Sequence, residues 1–172
     1  MPRNIEIKAR IDSVQALAQR VAEFADEGPV EIAQDDTFFH CATGRLKLRS
    51  FANGRGELIF YKRANQAGPK ESSYVLSPTS TPDTLRDALT LAIGQAGRVQ
   101  KHRTLFLVGR SRVHLDVVEG LGHFLELEVV LRDDERSRSA STKPISSWLG
   151  WAYLPGQLIE HAYVDMLAKA VC

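Results

Sequence analysis

The sequence predicts an α+β fold built on a strongly curved or closed antiparallel sheet, with flanking helices, and three observations predict it. Roughly eight strand-like segments can be read along the chain against few helical ones. Connections between successive strands are short, which favours antiparallel pairing over parallel crossovers. Residues 4–8, 45–49, 112–116 and 126–128 alternate charged with aliphatic side chains, so each segment has one ionic and one apolar face.

Residues 3–11 read as the first strand. Asp12 then offers an N-cap for a helix whose Val14, Leu17, Ala18, Val21, Ala22 and Phe24 recur at helical spacing, and Gly28-Pro29 stops it. A second strand covers residues 31–41. Residues 45–51 and 57–63 form a hairpin across a turn containing Asn53-Gly54. After a strand at 72–76, Thr81-Pro82-Asp83 combines an N-capping side chain, a proline in the first turn and an early acid, announcing a helix that ends near Gly97. Strands at 100–108, 110–118 and 124–131 are separated by Gly109 and by Gly120-Leu121-Gly122. Residues 133–156 are rich in Ser and Arg, are interrupted by Pro144, and carry Trp148, Trp151 and Tyr153. The stretch 158–167 presents Leu158, Ile159, Tyr163, Val164 and Leu167 as an apolar stripe that packs back on the sheet.

The 172 residues, 44% hydrophobic and 25% charged, suit one ordinary soluble domain spanning 1–172. A formal net charge of +1 gives no support for binding nucleic acid or a membrane, so cations matter only where they concentrate. Two cysteines, Cys41 and Cys172, indicate neither a disulfide framework nor a zinc cluster. With no apolar signal core and no stretch near the roughly 20 apolar residues of a membrane span, a cytoplasmic protein is expected. The five histidines have no zinc spacing, and His114 is the one placed to reach an interior.

Any one charged strand face could simply be solvated. Segregation by sign argues for more: carboxylates concentrate on the first and last two strands and cations on the middle ones. If these faces line a closed barrel, Glu6, Asp116, Glu126 and Glu128 share a metal position. Lys8, Lys47, Arg49, Lys62, Lys101, Arg103 and Arg112 then form a polyanion channel. A polyphosphate with Mg²⁺ satisfies both halves, because Mg²⁺ binds through one or two carboxylates plus phosphate oxygens, while Arg forks and Lys ammoniums grip phosphates.

Residues 4–10, Asn-Ile-Glu-Ile-Lys-Ala-Arg, resemble the N-terminal Glu-x-Glu-x-Lys signature of the CYTH, or triphosphate tunnel metalloenzyme, superfamily. Residues 44–49, Lys62, 101–103, 113–116 and 120–128 resemble its successive strands in order, and 162–167 its C-terminal motif; only about 133–155 lies outside the likeness. The resemblance implies a closed antiparallel eight-stranded β-barrel, a triphosphate tunnel, that uses Mg²⁺ or Mn²⁺, closest in flavour to class IV adenylyl cyclases. By analogy Asp116, Glu126 and Glu128 hold the catalytic metal, Glu6 serves a second metal, and Lys47, Arg49, Lys62, Lys101 and Arg103 clamp phosphates. Lys8, set among cations, is read as a general base. Two departures stand out. Asn4 replaces the signature's first Glu and lacks the charge that would offset a second divalent ion. Where the family has an amphipathic helix, residues 133–155 have poor helix propensity.

Three functions follow. In the first, a class IV adenylyl cyclase, the ribose 3′-hydroxyl of ATP attacks the α-phosphorus and pyrophosphate leaves. The second is a triphosphatase acting on tripolyphosphate, thiamine triphosphate or a nucleotide. The third is a non-catalytic polyphosphate or nucleotide binding module, which Asn4 makes worth weighing. A homodimer is compatible with the pattern and not required by it.

Overall fold

The structure, a computed structural model, describes residues 3–63, 65, 69–132 and 157–170. In chain order the elements are β1 (Arg3–Arg10), α1 (Val14–Ala22), β2 (Glu27–Phe39), β3 (Arg45–Phe51), β4 (Gly56–Arg63), β5 (Lys70–Thr79), α2 (Pro82–Ile93), β6 (Gln95–Val108), β7 (Ser111–Val118), β8 (Gly122–Val130) and α3 (Tyr163–Ala170). The eight strands close into a barrel in the order β1-β5-β4-β3-β2-β6-β7-β8, every pairing antiparallel. Closure leaves no exposed strand edge and gives the sheet an inside.

The apolar core lies largely outside that barrel. Val14, Leu17 and Val21 form one stripe of α1 and pack on Phe106, Val108, Val113, Leu115, Leu125 and Leu127, the outward side chains of β6, β7 and β8. Alternation does the rest: with Val113 and Leu115 facing α1, Arg112, His114 and Asp116 must face the other way. A second cluster, Phe38, Val99, Val118, Phe124, Ala162, Tyr163 and Val164, seats the start of α3 across one end of the barrel. Gly97 permits that approach, since a Cβ there would stand 2.6 Å from Val164 Cγ2. Arg45 fixes the helix from β3, its two terminal nitrogens donating to the Asp165 carboxylate at 2.9 and 2.6 Å.

Several boundaries differ from expectation. Ser13, not Asp12, caps α1, its hydroxyl accepting from the Ala16 amide. That helix stops at Ala22, and Gly28-Pro29 lies inside β2, which absorbs it as a register shift against β6 between Glu27 and Val30. The second helix ends at Ile93 with Gly94 at φ +77°, so β6 begins at Gln95 and Gly97 belongs to a strand. At 158–160 the chain is extended: Leu158 bridges Ala9 and the Ile159 amide donates to the Lys8 carbonyl, so α3 starts only at Tyr163. The hairpin over Asn53-Gly54 forms as expected, with Gly54 at φ +77°. The readings at 133–156, including the three aromatic residues there, fall outside the described residues. Among the described residues no helix is long and apolar enough to cross a membrane.

Leu115 is fully buried under α1, whereas Leu91 on α2 is 89% exposed. Leu115→Ala is therefore expected to destabilise by roughly 2–5 kcal/mol and Leu91→Ala by less than about 0.5 kcal/mol, both measured by urea unfolding.

Candidate active site

The barrel lumen is a cavity of about 360 Å³. One wall is acidic. Antiparallel pairing sets Glu6 of β1 directly opposite Glu128 of β8, and Lys8 opposite Glu126. Directly opposed like charges are unfavourable, so the Glu6–Glu128 pair needs cations. Arg63 NH1 donates to Glu6, Arg112 NH1 lies 3.6 Å from Glu128, and the Asn4 amide nitrogen donates to Glu128. Glu126 sits deeper, with Lys8 Nζ at 3.2 Å and Arg103 NH2 at 3.3 Å. Burial would raise the Glu126 pKa, but Lys8 and Arg103 outweigh it and hold the carboxyl well below the usual range. His114 Nδ1 is 3.2 Å from the ionised Glu126, which assigns that nitrogen the proton. Burial, then Arg103, pushes the His114 pKa down, keeping the ring neutral near pH 7.

The facing wall is basic. Lys47 and Arg49 of β3 and Lys101 and Arg103 of β6 line the lumen with Asp36 of β2 between them. Arg49 donates from Nε and NH2 to Asp36 at 2.7 and 2.8 Å, and Lys47 Nζ lies 2.7 Å from the same carboxylate. Burial opposes ionisation of Asp36, yet Arg49 and Lys47 keep its pKa far below the ordinary value. The lysines respond the other way: burial, and next the adjacent arginine, lower Lys47 to about 8 and Lys101 to about 7.

Expected residues Glu6, Lys8, Lys47, Arg49, Lys101, Arg103, Glu126 and Glu128 all line this cavity, and Arg112 lies at its edge, 44% exposed. Three expectations change. Lys62 is exposed on the outer face of β4, because Ile59, Tyr61 and Arg63 hold the inward positions; Arg63 is the interior cation there. Asp116 is fully buried behind the lumen wall and accepts from Arg103 Nε and NH2 at 2.7 Å each, Lys101 Nζ at 3.1 Å and the Tyr163 hydroxyl at 3.0 Å. Three of these bonds fall on Oδ2 and one, from Arg103 Nε, on Oδ1, so Asp116 is held against the basic wall and does not line the cavity where a metal position is expected. Lys8 has a carboxylate, not cations, as its nearest partner, and its Nζ stands 4.0 Å over the Tyr163 ring centroid. That geometry makes Lys8 the holder of Glu126 and gives no support to a general base.

Residues absent from the sequence reading of the site are Asp36, Arg63, Gln34 and Tyr163. Tyr163 closes one end of the lumen, touching Lys8, Lys101 and Asp116 together. Ile32, Ile59, Leu76, Leu105 and Tyr74 also line the lumen, Ile32 opposite Arg103 and Ile59 opposite Lys47 in the ladders.

Among the described residues no three His, Cys, Asp or Glu side chains cluster as a metal cage. The acidic wall nevertheless fits a hard ion that keeps waters and needs only one or two carboxylates. Asn4 Oδ1 is buried without a hydrogen-bond partner on the strand that carries Glu6, and its own amide nitrogen is bonded to Glu128. Glu6, Glu128 and Asn4 Oδ1 make an all-oxygen donor set of the kind hard divalent cations take.

A model of the CYTH domain matches residues 2–149. The chain belongs to the CYTH domain family. CYTH triphosphate tunnel metalloenzymes are metal-dependent and generally act on triphosphates. A comparison with curated proteins finds no match. Among solved structures, the PH1012 protein of Pyrococcus horikoshii OT3 superposes with a TM-score of 0.81 at 19% identity, over 94% of this chain and 98% of that one. A candidate adenylate cyclase from Vibrio parahaemolyticus gives 0.71 at 18% identity, over 96% and 97%. The candidate adenylyl cyclase HpAC1 from Hippeastrum, described as having a dominant triphosphatase activity, gives 0.64 at 17% identity, over 96% and 94%. At these identities the likeness establishes the CYTH barrel and nothing finer.

Two predictions follow from parity and charge. Arg63→Gln is expected to weaken tripolyphosphate binding about ten-fold or more, hydrogen bonds to charged groups contributing roughly 1.5–3 kcal/mol, while Lys62→Ala leaves it unchanged in the same calorimetric titration. A bound anion favours the ammonium form, so binding takes up protons once Lys101 and then Lys47 begin to deprotonate. The dissociation constant should therefore rise with pH from about 7 upward, by up to roughly ten-fold per pH unit for each coupled proton.

Proposed function

We propose that this CYTH protein is a Mg²⁺- or Mn²⁺-dependent enzyme acting on a triphosphate that carries an organic group, in its leading form ATP converted to cyclic AMP and pyrophosphate. The observation that carries the reading is the separation of the lumen into an oxygen-donor wall and a cationic wall, with apolar side chains interleaved along the lining. Glu6, Glu128 and Asn4 Oδ1 would hold the ion, which when bound would neutralise phosphate oxygens and make phosphorus more electrophilic. Lys47, Arg49, Arg63, Lys101 and Arg103 would bind the phosphates and fix their direction, leaving charge that builds on departing oxygens already matched by oriented donors. Arg112, half-exposed beside Glu128, would meet the substrate at the edge of the lumen. Ile32, Ile59, Leu76, Leu105 and Tyr74 offer an apolar surface for a base or comparable ring. In cyclisation the 3′-hydroxyl gives up its proton to solvent as its oxygen forms the new bond to the α-phosphorus, the bond to the bridging oxygen breaks, and pyrophosphate leaves.

Hydrolysis of the triphosphate is the second reading, favoured by the dominant triphosphatase activity of HpAC1 on the same barrel. It uses the same residues and does without recognition of the base. A protein that only binds polyphosphate, the remaining alternative, would give neither reaction.

Purified protein incubated with ATP and separately with tripolyphosphate, each with Mg²⁺ or Mn²⁺, distinguishes these readings when products are resolved chromatographically. Cyclic AMP with pyrophosphate is the expected result, and Glu128→Gln should lower its rate by about 10²-fold or more. Orthophosphate without cyclic AMP would replace the first reading by the second; absence of every product would overturn both.

A further inference from the structure

One construction occurs twice in the basic wall. On β3, Lys47 and Arg49 face the lumen, and Asp36 of the neighbouring β2 stands directly opposite Arg49 in the ladder. On β6, Lys101 and Arg103 face the lumen, and Asp116 of the neighbouring β7 stands directly opposite Arg103. Each carboxylate accepts from Nε and NH2 of its arginine and from the Nζ of the lysine two residues before it. Strand β2 lies between β3 and β6, so the two units are neighbours on the wall. Between them is Gln34, opposite Lys101, whose buried Oε1 has no hydrogen-bond partner.

A carboxylate in an anion site works against its ligand, since every negative charge there repels phosphate. Its occurrence twice in one geometry calls for a gain that outweighs this repulsion of the ligand. A Lys and an Arg buried on one strand face repel each other, and a lone guanidinium is free to turn. With Nε and NH2 engaged, the plane of each guanidinium is fixed, and among the described residues NH1 of Arg49 and of Arg103 makes no hydrogen bond. The same carboxylate tethers the lysine beside it. Groups held this way lose little freedom when a ligand arrives.

We propose that Asp36 and Asp116 are positioning residues of two like-built phosphoryl-binding units, each offering one arginine NH1 and one lysine ammonium to one phosphoryl group of a bound polyphosphate. The proposal rests on reading the tunnel as a triphosphate site. It assigns Asp116 to the cationic wall, and it extends the site to Asp36.

Charge and positioning predict opposite signs for the same substitutions, which gives the test. Asp36→Asn and Asp116→Asn each remove a repelling charge, so a purely Coulombic site would bind inorganic tripolyphosphate more tightly. Positioned units predict a dissociation constant raised about ten-fold or more in each variant by calorimetry, because bidentate charged hydrogen bonds lose their fixed geometry. Orthophosphate engages one unit at a time, so its affinity should fall only about two-fold, the statistical effect of losing one of two units. Equal loss of both ligands would indicate a distorted barrel and overturn the proposal, as would unchanged or tighter tripolyphosphate binding. Arg49→Lys keeps the charge and forfeits the fork. It should also weaken tripolyphosphate binding, and an unchanged constant there would overturn the proposal even if the Asn variants fail to fold. If the unaltered protein binds no tripolyphosphate, the triphosphate reading itself fails; binding that the variants leave intact removes only the two-unit proposal.

Discussion

Ion pairing across neighbouring strands is the constraint on which the remaining structure depends. Lys47 and Arg49 of β3 and Lys101 and Arg103 of β6 stand on one wall of the lumen with only β2 between the two strands, an arrangement whose desolvation and mutual repulsion would oppose closure of the barrel. Asp36 and Asp116 meet that cost from the two flanking strands, each placed directly across from an arginine by antiparallel register. The acidic wall is balanced in the same way, with Arg63 on Glu6 and Lys8 on Glu126. A closed sheet can therefore keep a charged interior while remaining a folded barrel.

Such an interior leaves the hydrophobic contribution to be made elsewhere. Packing of α1 on the outer face of β6, β7 and β8 supplies it, and the alternation that buries Leu115 and Leu127 outside is the one that turns His114, Glu126 and Glu128 inward. Helix α3 links the two regions. Its apolar side joins Phe38, Val99 and Phe124, while Tyr163 places a ring beneath Lys8 and Lys101 and a hydroxyl on Asp116. Seating of this helix and orientation of the basic wall are consequently one structural event.

Much of this is legible in the sequence. The barrel and the inward faces of β1, β3, β7 and β8 follow from alternation over residues 6–10, 45–49, 112–116 and 126–128, whereas on β6 Arg98 and the run Lys101-His102-Arg103 break the period. Lys62-Arg63 defeats the rule: two adjacent cations fit either parity, and only the ladder of β4 against β3 and β5 decides. Asp36 escaped notice for a related reason, since Asp35-Asp36 is also a like pair in which one residue faces Arg98 outside and the other Arg49 inside. The parity of β7 turns Asp116 inward, but its partners lie on another strand and on α3, beyond what spacing reveals. Tyr163 read as part of an apolar stripe, and nothing local to the sequence indicates that its ring would reach the site.

The central claim is that cation and phosphates occupy opposite walls of one lumen. A crystal structure of the protein with Mn²⁺ and tripolyphosphate, with the metal located by anomalous scattering, tests it directly. The account predicts manganese against Asn4, Glu6 and Glu128 and phosphorus atoms against Lys47, Arg49, Lys101 and Arg103. Manganese ligated by Asp116, or tripolyphosphate bound outside the barrel with the lumen left empty, would contradict it.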